Sequence, residues 1–168
     1  MTVFLLLLAT LQLPQPAQLV RTRTFQIMAP QGWVVVTTSG AILLNHASGA
    51  SVFVNKSSQT ENLKSYARRS AERIMAPLGF AKLQEPRHFA GNGQEWVQYE
   101  IRGNRLSDRR RILYRALMRK GGMVEFIYEN SEERFDLLMT EAQAIASSLQ
   151  DLPEGLPGGR RARTNGVR

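Results

Sequence analysis

The sequence predicts a single α+β domain in which two helices pack against an antiparallel β-sheet. Short runs of β-branched and aromatic residues, separated by turns that contain Gly or Pro, predict the strands. Two longer segments repeat apolar residues at helical spacing and predict the helices. The chain has 168 residues, of which 43% are apolar, which is enough for one domain with a buried core and too little for two domains.

A meander of four strands is predicted in the first third of the chain. Turn residues at Pro30-Gln31-Gly32 and a loop at residues 46–49 separate the runs of apolar residues. Val52 and Val54 alternate with their neighbours, so they share one face of their strand. The four predicted strands cover residues 24–29, 33–38, 41–45 and 50–55.

One helix is predicted after this meander and a second one near the end of the domain. Thr60 is a suitable N-cap for the first helix, and Pro77 and Gly79 end it. Ser131 is a suitable N-cap for the second helix, and acidic residues follow it at the positive end of the helix dipole. The stripe that the second helix is predicted to bury is Phe135, Leu138, Ala142, Ile145 and Leu149.

The remaining strands are predicted at residues 80–85, 94–102, 111–119 and 123–129. A three-residue loop, Lys120-Gly121-Gly122, is predicted between the last two, because it places apolar residues opposite one another. This register pairs Met118 with Val124, Ala116 with Phe126, and Tyr114 with Tyr128. It also places Arg115 diagonal to Glu125 and Glu129, which accounts for that arginine as an ion-pairing residue.

The two ends of the chain differ from the body in composition. The formal net charge is +8, but four arginines lie in the last nine residues and no charged side chain lies in the first twenty. The apolar run at residues 3–11 suits a signal peptide and is too short to span a bilayer. We therefore predict a signal peptide or apolar segment at residues 1–20, a domain at 21–152 and a disordered basic tail at 153–168. The protein is then periplasmic or secreted, or cytoplasmic if the run is not a signal peptide.

Several kinds of chemistry are excluded or unsupported. The chain has no Cys, so a disulfide, a thiolate metal site, a cysteine nucleophile and a lipidated cysteine are all excluded. Its two histidines, His46 and His88, lie far apart and have no acidic neighbour at metal-ligand spacing. No nucleotide-binding, hydrolase or nucleic-acid motif occurs. We therefore predict no catalytic residues, no metal and no cofactor.

Two features are candidates for binding. The first is a group of five arginines at an expected hairpin tip, which either forms a solvated loop partly paired with Glu100 and Asp108 or binds an anion. The second is Trp96, which lies on the strand face opposite Val97 and Tyr99 and is either covered by the second helix or part of a binding surface. The five arginines, called the arginine group below, are Arg102, Arg105, Arg109, Arg110 and Arg111.

The order of elements and several short motifs resemble the PsbP-like family, which groups PsbP, DcrB and Ran-binding relatives. The matching segments are Phe25-Gln26-Ile27 leading into Pro30-Gln31-Gly32-Trp33, then residues 49–52, 122–128 and 146–149. The resemblance implies an α/β/α sandwich with an antiparallel sheet and an accessory role without catalysis. It does not identify a partner. DcrB-like lipoproteins need a lipidated cysteine, and this chain has none.

The function that we predict from the sequence is an exported, non-enzymatic binding or accessory module that engages a protein or an anionic partner. One alternative is a peripheral membrane protein held by an uncleaved apolar N-terminus and basic segments. Another is a small hydrolase, which would need His46 or His88 to meet an acid and a hydroxyl in a pocket. The sequence does not indicate the oligomeric state.

Overall fold

The structure is a computed structural model, and it describes residues 17–38, 40–91 and 94–153. The apolar run at residues 3–11 and the arginines after residue 153 lie outside the described residues. The predicted signal peptide and the predicted disordered tail therefore remain predictions. Residues 39, 92 and 93 also lie outside them.

Most described residues belong to β-strands, as predicted. The strands are β1 (Gln18–Arg21), β2 (Phe25–Ala29), β3 (Trp33–Thr37), β4 (Ala41–His46), β5 (Ser51–Ser57), β6 (Gly79–Leu83), β7 (Arg87–Gly91), β8 (Gln94–Arg105), β9 (Asp108–Arg119), β10 (Gly122–Ser131) and β11 (Gln150–Asp151). The helices are α1 (Leu63–Met75), a 3₁₀ helix (Glu132–Leu138) and α2 (Met139–Ser147).

Antiparallel pairing arranges these strands in two sheets. The large sheet has the order β3-β4-β5-β10-β9-β8-β6, and β7 pairs with the first half of β8. A small sheet has the order β1-β2-β11. Strand β1 begins at Gln18, so it includes residues that lie before the predicted domain boundary at residue 21. The prediction missed β1, β7 and β11.

Helix α1 covers one face of the large sheet. Its N-cap is Asn62 and not Thr60, because the Asn62 side chain accepts hydrogen bonds from the backbone N–H groups of Lys64 and Ser65. Its buried residues pack on β8 and β9. The residues of β9 that meet it are Ile112, Tyr114 and Ala116, which the alternation had placed on one face.

Helix α2 covers the opposite face together with the 3₁₀ helix and the small sheet. The predicted stripe is confirmed: four of its residues are buried and Leu138 is half-buried. Trp33 is buried in the same cluster, and its Nε1 donates to Oε2 of Glu141 at 2.7 Å. In the part of the chain that is described, no helix has the length and apolar character needed to cross a membrane.

The turn between β9 and β10 differs from the prediction. The loop has two residues, Lys120 and Gly121, and Gly122 is already paired with Arg119. Each β10 residue is therefore shifted by one position, so that Tyr114 lies opposite Ile127. The predicted Arg115 arrangement is wrong for the same reason. Arg115 lies opposite Phe126, on the α2 face of the sheet, whereas Glu125 turns to the α1 face and accepts from Tyr114.

The two helices are offset along the sheet, and this offset determines what remains open. Helix α1 packs against β6, β8 and β9, while the α2 cluster contains residues of β2, β3, β4, β5 and β10. The α2 face is therefore open near β8, where Trp96 lies. The α1 face is open near β3 and β4, where Val34 and Val36 lie.

Candidate functional site

The arginine group is largely an internal ion-pair network. Strands β8 and β9 continue to Arg105 and Asp108, so most of the group lies on paired strands and not in a loop. Arg111 bonds the Glu100 carboxylate through Nε at 2.8 Å and Nη2 at 3.2 Å. Arg110 bonds the buried Glu129 through Nε at 2.9 Å. Two further pairs are Arg102 with Glu100 and Arg105 with Glu129.

These pairs shift the pKa values in the directions expected for compensated charges. Burial alone would raise the pKa of Glu100, but hydrogen bonds from Arg111 and Arg102 lower it below its usual value. Burial alone would lower the pKa of Arg111, but its hydrogen bonds to Glu100 raise it. The same balance with Glu129 and Asp108 raises the pKa of Arg110. Arg109 is exposed and has no carboxylate within ion-pair distance among the described residues.

Trp96 lies between two side chains and does not present an open ring face. Phe89 of β7 stacks on the indole, with ring centroids 3.8 Å apart and an interplanar angle of 14°. The guanidinium carbon of Arg115 lies 4.7 Å from the centre of the same ring. Phe89 occupies one face of the ring, so Arg115 lies on the other, and a ligand cannot stack on Trp96. The indole instead fixes the position of Arg115.

A cleft of about 470 Å³ opens beside Trp96 on the α2 face of the sheet. Its floor is apolar, and its rim carries amide, hydroxyl and guanidinium groups. The second helix thus does not cover Trp96: the end of α2 and the start of β11 form the far wall of the cleft. The lining residues are Gln94, Trp96, Arg115, Leu117, Arg119, Phe126, Ala146, Ser147, Leu149, Gln150 and Asp151.

The two arginines of the cleft differ from those of the paired network. Arg115 is half-buried and donates from Nε to the neutral Oε1 of Gln98 at 2.7 Å. Burial lowers the pKa of Arg115, as expected for a cation that no carboxylate compensates. The Nε of Arg119 is buried and has no hydrogen-bond acceptor among the described residues. The one acid of the cleft, Asp151, is already bound to Lys56 Nζ at 2.8 Å.

The structure does not bring Trp96 and the arginine group together. Trp96 pairs with Leu117 near one end of the β8–β9 hairpin, whereas Arg105 pairs with Asp108 at the other end. Nine residues of extended strand separate these positions, which is about 30 Å. The two sequence candidates are therefore separate places on the sheet, and only Trp96 borders the cleft.

The sequence analysis ranked Arg115 and Arg119 below the arginine group as anion-binding candidates and did not include them in the predicted site. Arg115 was discounted because the predicted register gave it two glutamate neighbours. The alternation of side chains along the two strands could have indicated these residues. Trp96 and Gln98 share one face of β8, and Arg115, Leu117 and Arg119 share one face of β9. Only the correct register shows that these faces meet.

The histidines do not form a catalytic arrangement in the described residues. His46 Nδ1 lies 2.9 Å from Ser48 Oγ and accepts from the Ser48 backbone N–H at 3.2 Å, within one tight turn. His88 is exposed on β7. Neither has an acidic partner among the described residues, and none of those residues form a group of three or more metal-ligating side chains. The contacts needed for a histidine-dependent hydrolase are thus not brought together there.

A second, polar cavity of about 350 Å³ lies on the α1 face around Glu125. The buried Glu125 carboxylate accepts from Tyr114 Oη at 3.1 Å and from Arg73 Nη2 at 3.4 Å. Burial raises the pKa of Tyr114 well above its usual value, so this hydroxyl stays protonated and donates. These contacts satisfy a buried carboxylate between α1 and the sheet, which is a structural role.

Comparison with known proteins confirms the predicted fold. No protein-family model and no curated protein matches the sequence. The structure is similar to the solution structure of cyanobacterial PsbP (CyanoP) from Synechocystis, with a TM-score of 0.56 and 16% identity over 86% of this chain and 96% of that one. It is also similar to LpqN, a protein involved in cell envelope biogenesis of Mycobacterium tuberculosis, with a TM-score of 0.56 and 12% identity over 83% and 87% of the two chains.

A third similar structure is a Pseudomonas aeruginosa protein of unknown function described as a putative regulator. It has a TM-score of 0.53 and 13% identity, and the match covers 88% of this chain and 100% of that one. The chain therefore has a PsbP-like α+β fold, in agreement with the resemblance found in the sequence. At these identities the similarity establishes the fold alone.

Proposed function

We propose that this protein is a non-catalytic binding module whose protein partner places an acidic side chain, with adjoining apolar atoms, in the cleft beside Trp96. One contrast carries the proposal. The half-buried arginines of the network are matched by carboxylates, whereas Arg115 and Arg119 have no carboxylate partner among the described residues and line an open cleft. A desolvated cation without a counter-charge is costly to a fold, so its persistence at a cleft favours a functional role.

The geometry of Arg115 suits a carboxylate. Its Nε donates to Gln98, and its guanidinium lies over the ring of Trp96. These two contacts fix the position of the guanidinium before a partner binds. Its Nη donors have no acceptor among the described residues, and a carboxylate can accept from two of them at once. Such charge-assisted hydrogen bonds contribute about 1.5–3 kcal/mol each. Arg119 adds a second cation to the same rim.

The floor of the cleft specifies the rest of the ligand. The half-buried Leu117 and the edges of the buried Phe126 and Leu149 form an apolar surface next to the two arginines. A small hydrated anion would leave that apolar surface exposed to water. An acidic residue next to an apolar residue would bury it, which is favourable. The Asp151 carboxylate is neutralised by Lys56, so it does not repel an incoming anion strongly.

The binding of an amphipathic anion tests this proposal directly. We expect the wild-type protein to bind 1-anilinonaphthalene-8-sulfonate more tightly than N-phenyl-1-naphthylamine, which has the same rings without the sulfonate. In Arg115→Gln the affinity for the sulfonate is expected to fall about tenfold or more, since one charge-assisted contact is lost. The affinity for the uncharged dye should stay the same. Fluorescence titration of both dyes measures both constants.

Arg109→Gln is the matched control, because it removes the same charge from an exposed arginine about 20 Å along the hairpin from Arg115. We expect this variant to bind both dyes with wild-type affinity. Any loss of affinity for the sulfonate in Arg109→Gln measures the general effect of net charge. Equal weakening in Arg109→Gln and Arg115→Gln would show that the dye senses only the overall positive charge. Retention of full affinity in Arg115→Gln would remove the cleft from consideration as an anion site.

We propose further that the module acts outside the cytoplasm as an accessory protein. The apolar run at residues 3–11 supports export, and cleavage near Ala17 would leave the strand β1, which begins at Gln18, intact. The cell-envelope context of the similar LpqN is compatible with such a role. Intact-mass measurement of the protein from the producing cells should show the loss of about 17 residues. A full-length mass would favour the membrane-associated alternative, in which the apolar run is retained.

A further inference from the structure

The open part of the α1 face is an apolar surface at the end of the large sheet. Val34 and Val36 of β3 are exposed to 66% and 48%. The strand register extends this surface inward, since Val36 lies opposite Leu43 and Leu43 lies opposite Phe53. Helix α1 packs further along the sheet, against β6, β8 and β9. This surface is called the valine edge below and is defined by Val34, Val36, Leu43 and Phe53.

Strand β3 is also an edge strand. Within the described ranges it pairs with β4 on one side and with no strand on the other. Soluble proteins usually protect such edges with a lysine, a proline, a β-bulge or a covering loop. The segment Trp-Val-Val-Val-Thr contains no charge and no proline, and it pairs with β4 in unbroken register. Apart from the Trp33 N–H, which donates to the Pro30 carbonyl at 3.4 Å, its outer backbone groups are available for pairing with another strand.

The distribution of charge along the chain indicates which strand pairs with the open edge of β3. The 30 residues from Gln26 to Asn55 contain no Asp, Glu, Lys or Arg, although the whole chain carries a net charge of +8. Two copies of such a chain repel each other at most orientations. At the valine edge they approach without placing like charges in contact, and each copy offers the uncharged, β-branched surface that the other one needs.

We propose that two copies of this protein associate through β3, which pairs antiparallel with its counterpart about a two-fold axis. When the pairing is centred on Val35, Val34 of one copy lies opposite Val36 of the other, on the open apolar face. This contact occurs twice by symmetry and joins the two large sheets into one. A five-residue edge buries little area, so the dimer is weak and its population depends on concentration. The cleft beside Trp96 lies on the other face and stays open.

Sedimentation velocity of the full chain over a concentration series up to about 1 mM, the weak end of specific association, tests the proposal. We expect the wild-type protein to shift from monomer to dimer. The double variant Val34→Lys/Val36→Lys is expected to stay monomeric at every concentration, because lysine on an edge strand prevents pairing. Circular dichroism and the melting temperature verify that it is folded.

The matched control is Leu106→Lys/Leu137→Lys, which adds the same two charges at apolar residues that are 97% and 74% exposed elsewhere. This control should dimerise, somewhat more weakly than wild type because of its added charge. Val34→Thr/Val36→Thr keeps the β-branched shape if the lysines disturb the sheet, and it should weaken the dimer several-fold. A wild-type protein that stays monomeric throughout overturns the proposal. A dimer that persists in Val34→Lys/Val36→Lys also overturns it, because the contact must then lie on another surface.

Discussion

Replacement of Phe126 with alanine is expected to lower the free energy of unfolding by about 3–5 kcal/mol, the usual cost of removing a buried aromatic ring. Phe126 is 2% exposed and lies on β10, in the middle of the large sheet. Its neighbours across the sheet are Val54 of β5 and Arg115 of β9. The ring belongs to the same buried cluster as Ile145 and Leu149, so its loss leaves a void between the sheet and the α2 region.

Urea unfolding, followed by circular dichroism, measures this effect. Phe80→Ala is the matched control, because the Phe80 side chain is 91% exposed and its removal should change stability by less than about 0.5 kcal/mol. A loss below about 1 kcal/mol in Phe126→Ala would show that the α2 layer does not seal the ring. The packing of the cleft floor would then have to be revised as well.

The fold class was predictable because the strands and the helices each repeat their apolar residues at a characteristic spacing in the sequence. The alternation of Ile112, Tyr114 and Ala116 identified the β9 face that meets α1. The spacing of Phe135, Ala142 and Ile145 identified the face of the last helical segment. Both patterns reflect local burial, which depends on a residue's position in its own element. The division of that segment into a 3₁₀ helix and α2 was not visible in this spacing.

The register of the central hairpin was not predictable, and the reason is burial on both faces. Strand β10 contributes residues to the buried cluster beside α1 on one face and to the α2 cluster on the other, so apolar residues occur at both odd and even positions. When the register shifts by one residue, apolar residues still lie opposite apolar residues. The sequence pattern therefore does not select one register over the other. Two adjacent glycines added a second ambiguity about where the turn ends.

The candidate site was only partly predictable, because its chemistry depends on partners distant in sequence. The sequence suggested that the arginine group was partly paired, but it did not show that Glu132 and Asp136 of the 3₁₀ helix approach Arg102 and Arg111 from the next element. Arg115 appeared paired, yet its sheet neighbours are Gln98 and Trp96. Strand β7, which supplies Phe89 to the Trp96 stack, is short and largely exposed and left no clear apolar pattern.

Replacement of Gly122 with alanine is expected to destabilise the fold by about 3–5 kcal/mol, through overpacking and backbone strain together. Gly122 is the first residue of β10 and has a φ of +134°, a region that side chains rarely adopt. A Cβ atom added there would lie 1.9 Å from the backbone oxygen of Ser57 and 3.0 Å from the Cα of Ser58. These are backbone atoms next to the β5–β10 ladder, so they cannot rotate away.

Gly49→Ala separates the two causes. Gly49 also has a positive φ, of +87°, but an added Cβ would have no atom of the described residues within 4 Å. In this variant the free energy of unfolding should fall by about 1–2 kcal/mol, the cost of holding a side chain at a positive φ. Thermal unfolding of both variants gives the comparison, and the larger loss expected at Gly122 combines the contact with Ser57 and the greater strain of a φ of +134°. Equal losses at the two glycines would mean that β5 moves aside at little cost, and that the β9–β10 turn requires Gly122 for its backbone angle alone.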